Sequence, residues 1–343
     1  MSLEIQTKQA SLDLTKTTQQ KTIEFLLKYG TILAIVVIIA FFSLTNDHFL
    51  TYSNITDILR SISITTLLAI GVTFSMIVDG FDLSVGSTTS LATVASAACL
   101  VLYRQETIVA IIVPIILGLL VGLLNALIVV KIKIPDLLGT LAVMYIVNGL
   151  QLTYTKGSSI YNNMPLDSGG NAPGVFLPSF LAIGQGKWLN IPVPVIIMVV
   201  LVIVVHLVLN NSRLGRLLYI TGGNQEAARL SGVSVGRYRL YAYLLSGLFA
   251  ALAGILLASR IGTGQVSAGA PLLMDGVASA LIGYSVFGAG KPNVIGTFFG
   301  SILIGILLNG LTMMNVPYYA QDLVKGTILV LALAFTYVQQ KNH

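Results

Sequence analysis

Residues 107–130 read Thr-Ile-Val-Ala-Ile-Ile-Val-Pro-Ile-Ile-Leu-Gly-Leu-Leu-Val-Gly-Leu-Leu-Asn-Ala-Leu-Ile-Val-Val, a run with no charged side chain. Crossing about 30 Å of hydrocarbon takes roughly 20 such residues in a helix. In lipid the backbone finds no water to bond, so a run of this kind must be helical. Outward from it, comparable runs occupy 29–45, 61–78, 85–103, 136–153, 191–209, 238–259, 293–313 and 319–338, and a shorter, glycine-interrupted one lies at 275–289. The expectation is an all-α integral membrane protein of about ten transmembrane helices, spans 1–10.

Composition agrees. Apolar residues make up 55% of the 343 positions and charged residues 9%, with a mean hydropathy of +0.88. A water-soluble domain carries about 25% charged residues, so this surface faces lipid. The single cysteine, Cys99, sits in an apolar run, and His48, His206 and His343 lack ligand spacing. No metal site, disulfide framework or nucleophile constellation is expected, which weighs against a membrane-embedded enzyme.

The basic residues orient the chain. With the polar segment 1–28 in the cytoplasm as a retained signal-anchor flank and ten alternating spans, thirteen of the nineteen Lys and Arg fall inside and six outside, matching the positive-inside bias. Both termini are then cytoplasmic, and the net charge of +6 calls for no nucleic acid. Residues 29–340 are expected to form one transmembrane domain with two long loops: 154–190, external and rich in Gly, Pro, Ser and Asn, and 210–237, cytoplasmic and basic. An internal repeat is expected as well. Gly122-Leu-Leu-Asn125-Ala-Leu127 precedes Ile134-Pro135, and Gly305-Ile-Leu-Leu-Asn309-Gly-Leu311 precedes Val316-Pro317. This pairs spans 2–5 with 7–10. The odd offset of five inverts the copies, an architecture recurrent in transporters.

Between spans 2 and 3 lies Asp79-Gly80-Phe81-Asp82-Leu83-Ser84-Val85-Gly86-Ser87. Carboxylates at membrane depth cost about 2.5–3.5 kcal/mol each. The stretch reads as a helix break, with Ser84 as the cap of span 3, Asp82 set against its N-terminus, and Gly80 and Gly86 permitting the turn and close packing. It lines the pathway, braces the cytoplasmic gate or serves simply as a cap. In the 210–237 loop, Gly222-Gly223-Asn224 suits a turn with Asn224 as N-cap of a short helix through Glu226-Ala227-Ala228-Arg229-Leu230, stopped at Gly232. Candidate pathway residues are the mid-helix Asn125, Asn148, Gln151, Asn309 and Asp275. Asn donates and accepts at once, as a hydroxylated solute requires, although Asn125 and Asn309 equally suit inter-helix bonding. No phosphate loop is present, because Gly290-Lys291 is followed by Pro292 and Ser285 stands where a glycine is needed.

The Asp79–Ser87 stretch strongly resembles the Gly-Ile-Asp-Leu-Ser-Val-Gly-Ser signature of the ribose/xylose/galactose-type ABC transporter permeases. Gly215-Arg216 with Gly222 through Gly232, and Ser246-Gly247 through Ala253-Gly254, are similar to two further blocks of that family, and the resemblance runs over 50–338. It implies a type II ABC importer-like fold in the cytoplasmic membrane of a prokaryote. It further implies a second permease subunit, homologous or identical, a double-cassette ATPase holding the ATP and magnesium that this chain does not bind, and an external substrate-binding protein. Glu226-Ala227-Ala228 with Gly232 also resembles the Glu-Ala-Ala-x-x-x-Gly element through which ABC permeases couple to the ATPase, but the usual Ile-x-Leu-Pro is replaced by Val233-Ser-Val-Gly-Arg-Tyr-Arg239. The implied cargo is a monosaccharide or similar small polar solute. The alternative reading is an ion-coupled secondary transporter of such a solute, which also uses inverted repeats and broken helices.

Overall fold

The computed structural model describes residues 18–286, 290–317, 319–328 and 330. Its helices are α1 (Thr18–Thr45), α2 (Tyr52–Ile77), α3 (Val85–Ala97), α4 (Thr107–Ala126), α5 (Asp136–Thr155), α6 (Pro178–Gln185), α7 (Val193–Asn211), α8 (Arg213–Gly223), α9 (Gln225–Leu230), α10 (Val235–Ile261), α11 (Ala270–Ser285) and α12 (Val294–Met313). Wider π turns extend α3 through Leu102 and α4 through Lys131. A two-stranded hairpin, β1 (Lys187–Trp188) and β2 (Ile191–Pro192), precedes α7.

Seven of the described helices are long and apolar enough to cross a membrane, and two shorter apolar ones, Tyr29–Thr45 and Ala270–Tyr284, accompany them. The protein is a helical multi-pass membrane protein. Of the expected tenth span, residues 319–328 are helical, while most of the remainder, like 287–289 of the second glycine-rich break, lies outside the described residues.

Several boundaries differ from expectation. α2 begins at Tyr52 rather than near 61, because Thr51 accepts the Asn54 N–H and extends the helix through the polar Ser53, Asn54 and Asp57. Residues 18–28, read as part of a polar flank, continue α1. The 154–190 loop contains α6, and the 210–237 loop is largely two helices, α8 and α9.

α2, α3 and α10 form the buried centre. α4, α5 and α7 keep large apolar side chains on the outside, among them Ile112, Leu120, Leu138, Leu150 and Val200, as lipid-facing helices do. α4 crosses α10 at glycines. A Cβ on Gly122 would meet the Tyr243 carbonyl oxygen at 2.3 Å, and one on Gly247 would meet that of Gly118 at 2.1 Å. Small residues at such a crossing let the backbones approach, which is how helices gain packing energy in lipid.

The connections gather at two opposite ends. At one end the Tyr219 hydroxyl donates to the Pro292 carbonyl at 2.9 Å, and Arg239 of α10 pairs with Asp136 of α5. At the other, Tyr52 donates to the Asn190 carbonyl, Arg60 to that of Gln185, and Ile160 bridges Gly264.

Candidate functional site

The 78–84 connection opens where α2 stops. The Val78 and Gly80 N–H groups both turn back to the Ser75 carbonyl. Asp79 is exposed and takes the left-handed turn itself, at φ 57°, a conformation Asp tolerates better than most residues. Gly80, expected to permit both the turn and close packing, leaves the left-handed position to Asp79 and serves the close approach, since a Cβ there would lie 2.8 Å from the Tyr243 hydroxyl oxygen and 3.1 Å from Asp136 Oδ1.

Asp82 is fully buried. Its Oδ1 accepts the Ser84 backbone N–H at 2.9 Å, the Ser84 hydroxyl at 2.7 Å and Asn125 Nδ2 at 3.2 Å, while Oδ2 accepts the Ser246 hydroxyl at 2.7 Å. A carboxylate out of water costs several kcal/mol unless donors replace its hydration; here α3, α4 and α10 each supply one or adjoin one that does. This corrects the expected cap. Ser84 stands at the N-cap position but makes no side-chain cap bond, and Asp82 instead accepts the Ser84 N–H in the turn that leads into α3. The Ser84 oxygen accepts a second bond from Asn125 Nδ2 at 2.7 Å, and Ser87 donates to the Ser84 carbonyl. Gly86 lets α3 approach α11, where a Cβ would meet the Gly269 oxygen and Leu273 Cβ at 3.0 Å. From α5, the Thr140 oxygen accepts the Leu83 N–H at 3.1 Å.

Beside this cluster, Arg239 donates to both oxygens of Asp136, at 2.6 and 2.7 Å, and the Tyr243 hydroxyl donates to Oδ1. The pair borders a cavity of about 390 Å³ whose other polar lining is Lys133, Gln225 and Arg229.

The far wall of that cavity is α9. Asn224 Oδ1 accepts the Ala227 N–H at 2.9 Å and caps it, and Gly232 at φ 81° follows its end. Gly222 and Gly223, read as a turn, are the last residues of α8. A Cβ on Gly222 would lie 1.9 Å from the Ile77 carbonyl oxygen, so glycine there seats α8 against the end of α2. Ala228 is buried, while Glu226, Ala227, Arg229 and Leu230 are exposed, Leu230 by 84%. On α8, burial pushes the Tyr219 phenol up to about 12, and the Lys291 ammonium lies 4.7 Å from its ring centre.

Of the sequence candidates, Asp82, Ser84 and Asn125 converge, with Gly80 and Gly86 packing around them. The pathway candidates other than Asn125 lie apart. Gln151 donates to Asn148 within α5 at 2.7 Å. Asp275 of α11 pairs with Lys325 at 3.0 Å. Asn309 donates to Asn54 Oδ1 at 2.9 Å, joining α12 to α2. Sequence reading missed Asp136, Thr140, Arg239, Tyr243 and Ser246. A signal existed for three of them: positions 239, 243 and 246 are polar at i, i+4 and i+7, one face of a helix.

Residues 54–333 match the family described as branched-chain amino acid transport system / permease component. The chain is 37% identical to the ribose import permease protein RbsC of Bacillus subtilis, with 92% of this chain and 95% of that protein covered. It is 33% identical to the L-arabinose transport system permease protein AraH of Escherichia coli, with 92% of each covered, and 30% identical to that organism's D-allose transport system permease protein AlsC, with 90% of each covered. No solved structure matches the chain at a significant level. A helical membrane protein with a buried carboxylate at a broken-helix turn and full-length likeness to import permeases is a transport subunit rather than an enzyme, and the chain belongs to this permease family.

Proposed function

We propose that the chain is the membrane-spanning permease subunit of an ATP-binding-cassette importer that carries a monosaccharide or a similar small polar solute into the cell. The observation that carries this reading is the 30–37% identity, over nine-tenths of the chain, to permeases named for ribose, allose and arabinose. ATP and magnesium belong to a separate ATPase chain in this reading, which the lack of a phosphate loop in the sequence supports. Its seat is the exposed face of α9, which includes Glu226 and Leu230. The end carrying α8 and α9 is cytoplasmic, as are both termini, and the 154–190 segment with α6 and the hairpin receives the binding protein outside. Ten spans with spans 2–5 and 7–10 as inverted repeats, in a type II importer-like arrangement, fit the gathering of alternate connections at opposite ends. A second permease subunit completes the pore.

The Asp82 cluster braces the cytoplasmic end of the pathway, and Asn125 acts there as inter-helix glue. Asn148, Gln151, Asp275 and Asn309 remain candidates for lining the pathway. The test is uptake of labelled D-ribose, D-allose and L-arabinose by cells with and without the intact chain. Loss of uptake of at least one of the three sugars on deletion is expected, with restoration by the wild-type chain. Undiminished uptake of all three would contradict the substrate class.

A further inference from the structure

We infer that one face of α10 carries movement of α9 to the Asp79–Ser84 break, with Asp136 as the positioning residue that fastens the two; this rests on α9 being the seat of an ATPase.

The link between α9 and α10 has no slack. Across residues 231–234, Ser231 N–H bonds the Ala227 carbonyl, Gly232 that of Arg229, and Val233 that of Ala228. The Ser234 carbonyl in turn accepts from Arg237 and Tyr238 in the first turn of α10. α9, the link and α10 therefore form one hydrogen-bonded lever, and α10 runs unbroken from Val235 to Ile261. Rising 1.5 Å per residue, it reaches Ser246 roughly 16 Å from its first residue.

Arg239, Tyr243 and Ser246 lie at i, i+4 and i+7 on that lever, along a single stripe. Each ends on a carboxylate of the opposing wall. Arg239 and Tyr243 hold Asp136, and Ser246 holds Asp82. Gly80 is wedged against both Tyr243 and Asp136, at distances that leave no room for a methyl group. A displacement of α10 along its axis must therefore break these bonds or drag the break and the start of α5 with it. The cavity between Arg239 and α9, bordered by Gln225 and Arg229, is the space into which that displacement runs. Tightly packed contacts with two discrete arrangements are what carries coupling between distant sites.

The experiment uses the full permease with its ATPase and binding protein in proteoliposomes, and reads ATP hydrolysis and solute moved per ATP. In Asp136→Asn and Arg239→Gln, hydrolysis persists and solute per ATP falls by about 5- to 150-fold, the range typical of coupling between sites. The double variant is no worse than either single one, because both remove the same connection. Ser246→Ala, a mild change, lowers solute per ATP in the same direction and keeps the inference testable if Asp136→Asn does not assemble. A merely structural role would reduce the amount of assembled complex and scale hydrolysis and transport together. An unchanged ratio of solute to ATP in all these variants overturns the inference while leaving an ATP-driven wild type intact. A wild type that moves solute without ATP removes the underlying reading and the lever with it.

Discussion

Replacing Asp82 with alanine deletes the acceptor of four hydrogen bonds in a site with no exposure to solvent. An inter-helix bond in a membrane protein averages about 0.6 kcal/mol, whereas one to a charged group is worth roughly 1.5–3 kcal/mol. The second figure governs here, but not four times over. Asn125 keeps the Ser84 oxygen at 2.7 Å, and the Ser246 hydroxyl can turn to a carbonyl one turn earlier in α10. The Ser84 backbone N–H keeps nothing. The expected loss is about 3–5 kcal/mol, as when a buried charged network is broken from one side. Asp82→Asn retains an acceptor for that N–H and turns an amide toward Ser246, so about 1–2 kcal/mol is expected. With an unfolding entropy of about 2.1 cal/mol/K per residue, 1 kcal/mol lowers the melting temperature of a chain of this length by about 1.4 °C. A thermal scan of the purified protein in detergent should then show falls of about 4–7 °C for alanine and about 1–3 °C for asparagine. Equal melting temperatures for the two variants, or an alanine variant within 1 °C of wild type, would refute the claim that the carboxylate organises the break.

Gly222→Val places a branched side chain where even a Cβ lies 1.9 Å from the Ile77 oxygen, and should lower stability in the same scan by about 3 kcal/mol or more. Gly223→Ala, with nothing within 4 Å of its Cβ position, should leave the melting temperature at or slightly above that of wild type. Leu230→Asp alters a side chain that is 84% exposed, so the melting temperature should hold while co-purification of the ATPase is lost; retained co-purification would remove α9 from the interface. Asp275→Asn leaves Lys325, only 17% exposed, with just the exposed Asp322 at 3.7 Å as a counter-charge, and should destabilise by about 1 kcal/mol, with Asp275→Asn/Lys325→Gln recovering part of that loss.

The spans were legible because lipid sets a length and forbids charge: 107–130 and 191–209 need no partner to be recognised. Boundaries were less so at 52–60, where Thr51 and a polar first turn make helix of residues that hydropathy discounts. Asp82 stood out as a carboxylate between apolar runs, and Asn125 as an amide within one, yet nothing local tied the two together. Their meeting depends on α4 crossing α10 at Gly118, Gly122 and Gly247, a tertiary fact. Asp136 was hidden for the opposite reason. Next to Lys133 and Pro135 it reads as an ordinary helix start, and only the arrival of Arg239 and Tyr243 from a helix a hundred positions later gives it a role. Asn309 was paired with Asn125 by motif, but it joins Asn54 rather than a buried carboxylate.

The most direct test of the account is flux through the purified chain in proteoliposomes, with its ATPase and binding protein present or omitted. Solute should accumulate only when both partners are present and ATP is supplied on the side bearing α9, and a proton or sodium gradient alone should move none. Accumulation driven by an ion gradient through the chain by itself would contradict the account.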